Sequence, residues 1–321
     1  MDFLQKITIP EWTLENGTII KNVNIFYQTF GLPIGSAPIV LVNHTLTGNS
    51  NVLEWWGNIV GENKAIDIKK FSIIAFNIPG NGYEENPTYF SNYTDFRAID
   101  VAVLFWEALH RLSIDNLFAV IGGSLGGGIA WEMAVLNPEA IRNLIPIASD
   151  YRSSDWVLAN ALIQDKLLSH SRKPLEDARM HAMLLYRTPL SLKYKFQRQH
   201  IDGNDQFQVE SWLKKHGEKL KNRFSLPAYK LMNQLLKTID ITHNRADFVT
   251  VAKNIKSDIH IVCINTDGLF TQEDNLEIFE LLKPHKANTY YNEIKSIHGH
   301  DAFLIESDKL SQILIPIFTF Y

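Results

Sequence analysis

The sequence predicts an α/β fold in which a mostly parallel central sheet is flanked by helices and interrupted by a helical insertion. Three observations carry that expectation. Apolar, strand-like runs alternate with helical stretches from Gly31 to Ala148, as a parallel sheet with helical crossovers requires. From about Ser153 to Asp247 helical periodicity takes over, and strands return only from Ile255. Between these blocks a glycine-rich turn, Gly122-Gly123-Ser124-Leu125-Gly126-Gly127, joins a strand to the helix after it. The expected division is a core of residues 1–150 and 248–321, with 151–247 inserted as a lid.

Strand signals dominate up to Gly31. Pro38-Ile39-Val40-Leu41-Val42 is a short continuous apolar run of the kind that forms a strand buried on both faces, and it exits abruptly into Asn43-His44-Thr45-Leu46-Thr47-Gly48. The next strand is Ser72 to Asn77. Asn116 to Ile121 reads as another buried strand, and a helix is expected from Gly127 to Leu136, stopping before Asn137-Pro138 because proline cannot continue it. Asn143 to Ala148 closes the first block. Inside the insertion, 209–215 and Leu226 to Leu236 carry helical periodicity, and the charge run Lys214 to Arg223 reads as a solvated helix face. Ile259 to Ile264 and Thr289 to Ile294 return as strands, and the chain after His300 is helical to its end.

Bulk properties narrow the class. A chain of 321 residues, 45% hydrophobic, can bury a large core, and a net charge of −4 supplies no basic field of the kind that holds nucleic acid. The single cysteine, Cys263, lies in an apolar strand run; it is expected in the core without a disulfide partner, as suits a reducing cytoplasm. The first residues lack the charged and apolar regions of a signal peptide, no stretch reaches the length of a membrane span, and a soluble cytoplasmic protein is expected. None of the eleven histidines has the spacing of a helical zinc site, so no metal and no cofactor is expected.

The chemistry centres on Ser124. In the pattern Gly-x-Ser-x-Gly between a strand and a helix, the serine sits on a strained turn, and only glycine fits at the flanking positions, here Gly122 and Gly126. Such a serine needs a base and an acid, in chain order serine, acid, histidine. Asp267 follows the strand at 259–264, where a loop acid points to the upper edge of the sheet; Asp274 and Asp258 read instead as a residue of a helix start and a strand-initiating residue. The base is His300 or His298, and His300 is favoured because it follows Gly299 and directly precedes a helix. The backbone amides of Leu125 and Leu46 are the expected oxyanion donors, one after the nucleophile and one on the loop after an earlier strand. His44 precedes the serine, against that order, and reads as a residue that fixes its loop.

On these residues the chain resembles the homoserine O-acetyltransferases of methionine biosynthesis, within the α/β-hydrolase superfamily. His44-Thr45-Leu46-Thr47-Gly48 is similar to the family's His-Ala-Leu-Thr-Gly, Trp55-Trp56 to its Trp-Trp, and the run from Gly61 to Asp67 to its Gly-x-Gly-Lys-Ala-Ile-Asp. The elbow is close to Gly-Gly-Ser-Met-Gly-Gly, Asp267-Gly268-Leu269-Phe270 resembles the acid loop, and the run from Gly299 to Glu306 is nearly identical to the histidine loop, which selects His300. The resemblance implies an α/β-hydrolase fold and an amino-acid acceptor held by Arg179, in Ala178-Arg179-Met180, and by Asp301. A guanidinium suits a carboxylate and a carboxylate suits an α-ammonium. The chain departs from the family after Asn77, where its loop is short and carries no arginine or lysine, and around Asn160.

The expected reaction is acetyl transfer from acetyl-coenzyme A to the side-chain hydroxyl of L-homoserine through an acyl-Ser124 intermediate. Both substrates are small molecules, and the resemblance implies a homodimer built through the lid. A succinyl donor would require a cation near the acyl pocket. The rival reading is a carboxylic ester hydrolase with the same triad and water as second nucleophile. A non-catalytic binding protein is disfavoured because all three triad members are present.

Overall fold

Strands without a polar face can only be covered on both sides, and that requirement shapes this molecule. The structure is a computed structural model and describes residues 4–319. β1 (Gln5–Thr13) and β2 (Ile19–Gly31) form an antiparallel hairpin. β3 (Ile39–Asn43) leads to α1 (Val52–Trp56), the two-residue strands β4 (Val60–Gly61) and β5 (Ile66–Asp67), and then β6 (Ser72–Phe76). α2 (Ala98–Arg111), β7 (Leu117–Gly123), α3 (Leu125–Leu136) and β8 (Ile141–Ile147) complete the first block. Six helices follow: α4 (Asp155–His170), α5 (Pro174–Tyr186), α6 (Pro189–Phe196), α7 (Gln208–Arg223), α8 (Leu226–Lys237) and α9 (Phe248–Ala252). The chain then rejoins the sheet with β9 (Asp258–Ile264), α10 (Gln272–Leu282) and β10 (Thr289–Ile294), and ends with α11 (Ala302–Ile305) and α12 (Ser307–Thr319).

The main sheet has the order β1-β2-β6-β3-β7-β8-β9-β10. β2 runs antiparallel to β1 and β6, and the pairs from β6 to β10 are parallel. β6 and β7 are buried at every residue, as strands covered by helices on both faces must be. Register places Asn43 opposite Gly122 and Gly123 opposite Ile147, so the loops leaving β3 and β7 emerge side by side at the carboxyl edge of the sheet. That edge is where open α/β sheets form their sites.

Two boundaries differ from the expectation for a packing reason. β7 runs on to Gly123 and α3 begins at Leu125, two residues before the expected Gly127, because the glycines form the first helical turn against neighbouring backbone. A Cβ on Gly126 would stand 2.5 Å from Asn43 O and 2.7 Å from His44 O. β8 likewise starts at Ile141, two residues earlier than the apolar run suggests.

The inserted helices share one apolar core with the helices beneath them. Val157, Leu168, Tyr229 and Met232 cluster with Ile129 and Trp131. α7 buries only Gly217 and Leu220 and presents its charged face outward, and Gly217 lets it approach α5, where a Cβ would lie 3.0 Å from Glu176. Cys263 is buried in β9 with Sγ 2.9 Å from the Tyr291 hydroxyl, and burial pushes its thiol up to about 11. Among the described residues no helix is long and apolar enough to cross a membrane, and no group of three or more His, Cys, Asp or Glu side chains could hold a metal ion.

Candidate active site

β7 delivers the chain to Ser124 and α3 starts at the next residue, so the whole change of direction falls on one amino acid. Ser124 takes φ 55° and ψ −125°, a conformation that costs a non-glycine residue about 1–3 kcal/mol and survives only where its surroundings enforce it. They do so here: the Ser124 amide donates to Ile147 O at 2.9 Å, and its carbonyl accepts from the amides of Gly127 and Gly128. A Cβ on Gly122 would lie 2.4 Å from Gly126 C, so strand and helix touch at a distance that only glycine allows.

Asp267 lies just beyond β9, and its carboxylate is held on both oxygens. Oδ1 accepts from the amides of Leu269 at 2.8 Å and Phe270 at 3.0 Å, and Oδ2 lies 2.7 Å from His300 Nδ1. His300 sits in a one-turn 3₁₀ helix, Gly299–Asp301, packed against the rings of Tyr186, Phe270 and Phe303. Burial works against a charged imidazole, but the charge and hydrogen bond of Asp267, with Asp301 behind them, hold the pKa of His300 above its ordinary value. Trp56 donates its indole N–H to Phe303 O at 3.2 Å and so ties the tryptophan pair to the histidine loop.

The alternatives read from the sequence lie elsewhere. His298 places Nδ1 2.9 Å from Ser191 Oγ, Asp258 accepts from Asn288 Nδ2 at 2.6 Å, and Asp274 sits in the first turn of α10, where its amide donates to Thr271 Oγ1.

The loop after β3 is built around His44. Its Nδ1 lies 2.7 Å from Thr45 O and its Nε2 accepts the Ile78 amide at 3.0 Å, so the neutral Nδ1–H tautomer satisfies both contacts. Burial lowers its pKa to about 4, which keeps the ring in that state. The short loop after Asn77 joins the same network, since Asn81 Nδ2 lies 3.3 Å from His44 Nε2. The turn closes with the Gly48 amide donating to Thr45 O at 2.9 Å. Among the described residues neither the Leu46 amide nor the Leu125 amide donates to a protein acceptor, and Leu125 opens α3, where unpaired N–H groups carry the positive end of the helix dipole.

Ser124, His300, Leu46, Arg179, Asp301 and Tyr186 line one cavity of about 60 Å³. Ser124 and His300 face it without a hydrogen bond between them, as is common before substrate binds. The cavity opens toward a chamber of about 330 Å³ that shares Thr45, Thr47, Arg179 and Leu304 in its walls. A larger groove of about 780 Å³ lies between β8–β10 and α12 and contains none of these residues.

The proposed acceptor pair is unequal. Arg179 lies over the Tyr186 ring at 5.5 Å and, among the described residues, makes no ion pair or hydrogen bond with a protein acceptor. Asp301 is already engaged, by Arg187 Nε at 2.9 Å. Arg187 was not legible in the sequence. Neither was Arg223 at the end of α7, which leaves the solvated face to donate to Thr47 O at 2.7 Å and Thr47 Oγ1 at 3.3 Å. Tyr186 could have been found, because it lies seven residues after Arg179 and therefore on the same face of α5.

Residues 38–306 match the family model of the alpha/beta hydrolase fold. A homoserine O-acetyltransferase of Salinibacter ruber is 31% identical over 341 residues, covering 97% of this chain and 96% of its own. A homoserine O-acetyltransferase of Trichormus variabilis is 32% identical, covering 94% of this chain and 90% of its own. Among solved structures, the homoserine O-acetyltransferase of Bacillus anthracis superposes with a TM-score of 0.85 at 19% identity, over 98% of this chain and 97% of its own. Esterase E22 superposes with a TM-score of 0.87 at 16% identity, over 99% of this chain and 100% of its own, a likeness that shows the fold alone.

Proposed function

The chain belongs to the homoserine O-acetyltransferase family on the α/β-hydrolase fold, and we propose that it transfers an acetyl group from acetyl-coenzyme A to the side-chain hydroxyl of L-homoserine, a step of methionine biosynthesis. Ser124 is the nucleophile. His300 takes the Ser124 proton as the hydroxyl attacks the thioester carbonyl, and Asp267 holds the imidazole with Nε2 toward the serine and stabilises the imidazolium that forms. The amides of Leu46 and Leu125 carry the charge of the tetrahedral oxyanion, where one well-placed donor is worth roughly 3–4 kcal/mol. Collapse breaks the carbon–sulfur bond, and His300 returns its proton to the departing thiolate. In the second half His300 deprotonates the homoserine hydroxyl, which attacks the acyl-enzyme and releases the product ester and free Ser124.

The observation that carries a charged acceptor is Arg179: a guanidinium facing the same cavity as Ser124, with no carboxylate paired to it among the described residues. It binds the acceptor's carboxylate, and Asp301 faces the α-ammonium. Residues 151–247 act as a lid that keeps water from the acyl-enzyme while the acceptor is bound. Acetyl is the donor group because the short loop after Asn77 carries no arginine or lysine to meet the second carboxylate of a succinyl donor. The enzyme works in the reducing cytoplasm without a cofactor, and the exposed Trp156, Leu162 and Ile163 of α4 are the contact of a homodimer.

The test is release of free coenzyme A from acetyl-coenzyme A with and without L-homoserine, using Ser124→Ala as the blank. Homoserine-dependent release that vanishes in the variant supports the transferase. Slow release indifferent to homoserine, with brisk cleavage of 4-nitrophenyl acetate, would leave an ester hydrolase.

A further inference from the structure

The junction between α5 and α6 grips the histidine loop at four points. The Tyr186 ring packs on His300 at 5.3 Å, Arg187 Nε donates to Asp301 Oδ2 at 2.9 Å, Thr188 Oγ1 donates to Ile297 O at 2.5 Å, and Ser191 Oγ lies 2.9 Å from His298 Nδ1. Among these contacts the ion pair stands out. Both side chains are largely buried, at 17% and 16% exposure, and the Arg187 guanidinium also lies 5.8 Å over the Trp212 ring of α7, which fixes it from the other side. Asp301 lines the cavity of Ser124, whereas Arg187 stands behind it, outside the cavity wall.

A carboxylate that gives one oxygen to a guanidinium keeps lone pairs on the other, and its orientation is set by the donor that holds it. A largely buried carboxylate lacking such a partner would lose that orientation. We infer that Arg187 is a positioning residue: it holds the Asp301 carboxylate against the cavity wall with one oxygen left for the α-ammonium of the acceptor. The role rests on the acyl-transfer reading above. The lid then does more than exclude water, because it orients half of the acceptor subsite. Arg179 and Arg187, eight residues apart, divide the work, one free to bind substrate and one committed to the protein's own carboxylate.

The test compares Arg187→Met and Arg187→Lys with Asp301→Asn, following the two half-reactions separately. Acylation is read as the first-turnover release of coenzyme A without acceptor, and the acceptor step as the dependence of steady-state release on L-homoserine. Arg187→Met is expected to raise the homoserine KM about tenfold or more while acylation changes by less than about threefold. Arg187→Lys should recover part of the loss, and adding Arg187→Met to Asp301→Asn should cost nothing further. Equal loss in both half-reactions together with a lower Tm, or additive effects in the double variant, would overturn the inference.

A second readout does not depend on the acceptor. His300 faces Asp267 and Asp301, with the Tyr186 ring between it and Arg179, and Phe270 and Phe303 closing the remaining sides. Removing the Arg187 cation leaves the Asp301 charge uncompensated, so the acid limb for cleavage of 4-nitrophenyl acetate should move up by about half a pH unit or more. An unmoved limb counts against the inference. A wild type indifferent to homoserine overturns acyl transfer itself, a result distinct from a homoserine-dependent wild type whose Arg187→Met variant keeps its KM.

Discussion

His300 Nδ1 lies 2.7 Å from Asp267 Oδ2, with the aspartate side chain fully buried and its other oxygen held by two backbone amides. The geometry leaves the imidazole one orientation and one tautomer. Asp267→Asn keeps the shape but offers Nδ1 a donor or a weaker acceptor, so kcat for coenzyme A release should fall about 10³–10⁴-fold with little change in Tm. A loss below tenfold would place the acid elsewhere.

The same environment sets the pH dependence. A base must be neutral to accept the Ser124 proton, and the pKa of His300, the proposed base, is raised by Asp267 and Asp301 in spite of burial. kcat/KM should therefore rise with pH through a limb above the ordinary histidine value of about 6.5 and flatten on its alkaline side. His44, held neutral by burial with its pKa at about 4, should contribute no limb in that range. A limb at or below 6.5 in a pH profile of kcat/KM would contradict the assignment of His300 as base.

Arg179 should matter to the acceptor and not to the acyl-enzyme. Arg179→Met removes the cation that a substrate carboxylate would meet, at about 1.5–3 kcal/mol for a charged hydrogen bond, or roughly 10- to 100-fold in the homoserine KM. Cleavage of 4-nitrophenyl acetate should stay within about twofold. Parallel losses in both assays would show that Arg179 only supports the wall.

At the elbow the expectation is steric. Gly126→Ala drives a Cβ against Asn43 O and His44 O, both backbone atoms that cannot rotate away, so it should cost about 1–3 kcal/mol or more and displace the loop after β3. Thermal unfolding measured beside kcat checks it. A variant with unchanged Tm and kcat would refute the close approach of α3 to β3.

His44→Ala should act through the same loop without touching substrate. It leaves the buried Ile78 amide without its acceptor, a loss of about 1–3 kcal/mol in denaturant unfolding, and frees the Thr45–Gly48 turn. The activity lost should be in kcat more than in KM, since the loop carries the Leu46 amide, the proposed oxyanion donor.

Much of this was legible in the sequence because the chemistry lies at transitions between periodicities. Ser124, Asp267 and the Leu46 loop each follow an apolar run that can only be a buried strand, and the strand ends of a parallel sheet share one edge. Glycines at 122 and 126 announced the close contact because no other residue tolerates it. Boundaries were less clear: Leu125 opens α3 although glycine is a poor helix former, since contact with β3 outweighs propensity there.

The chain order of residues and the local alternation of apolar and polar side chains thus determined by themselves the fold class, the elbow and the serine, acid and histidine loops, because each depends on neighbours within a few positions. Tertiary structure alone decided the pairing of Arg187 with Asp301, 114 residues away, the reach of Arg223 to Thr47 across 176, and the standing of Arg179 apart from every carboxylate of the described residues. A charged side chain carries no periodic signal, and its partner is fixed only when the inserted helices pack onto the loops at the edge of the sheet.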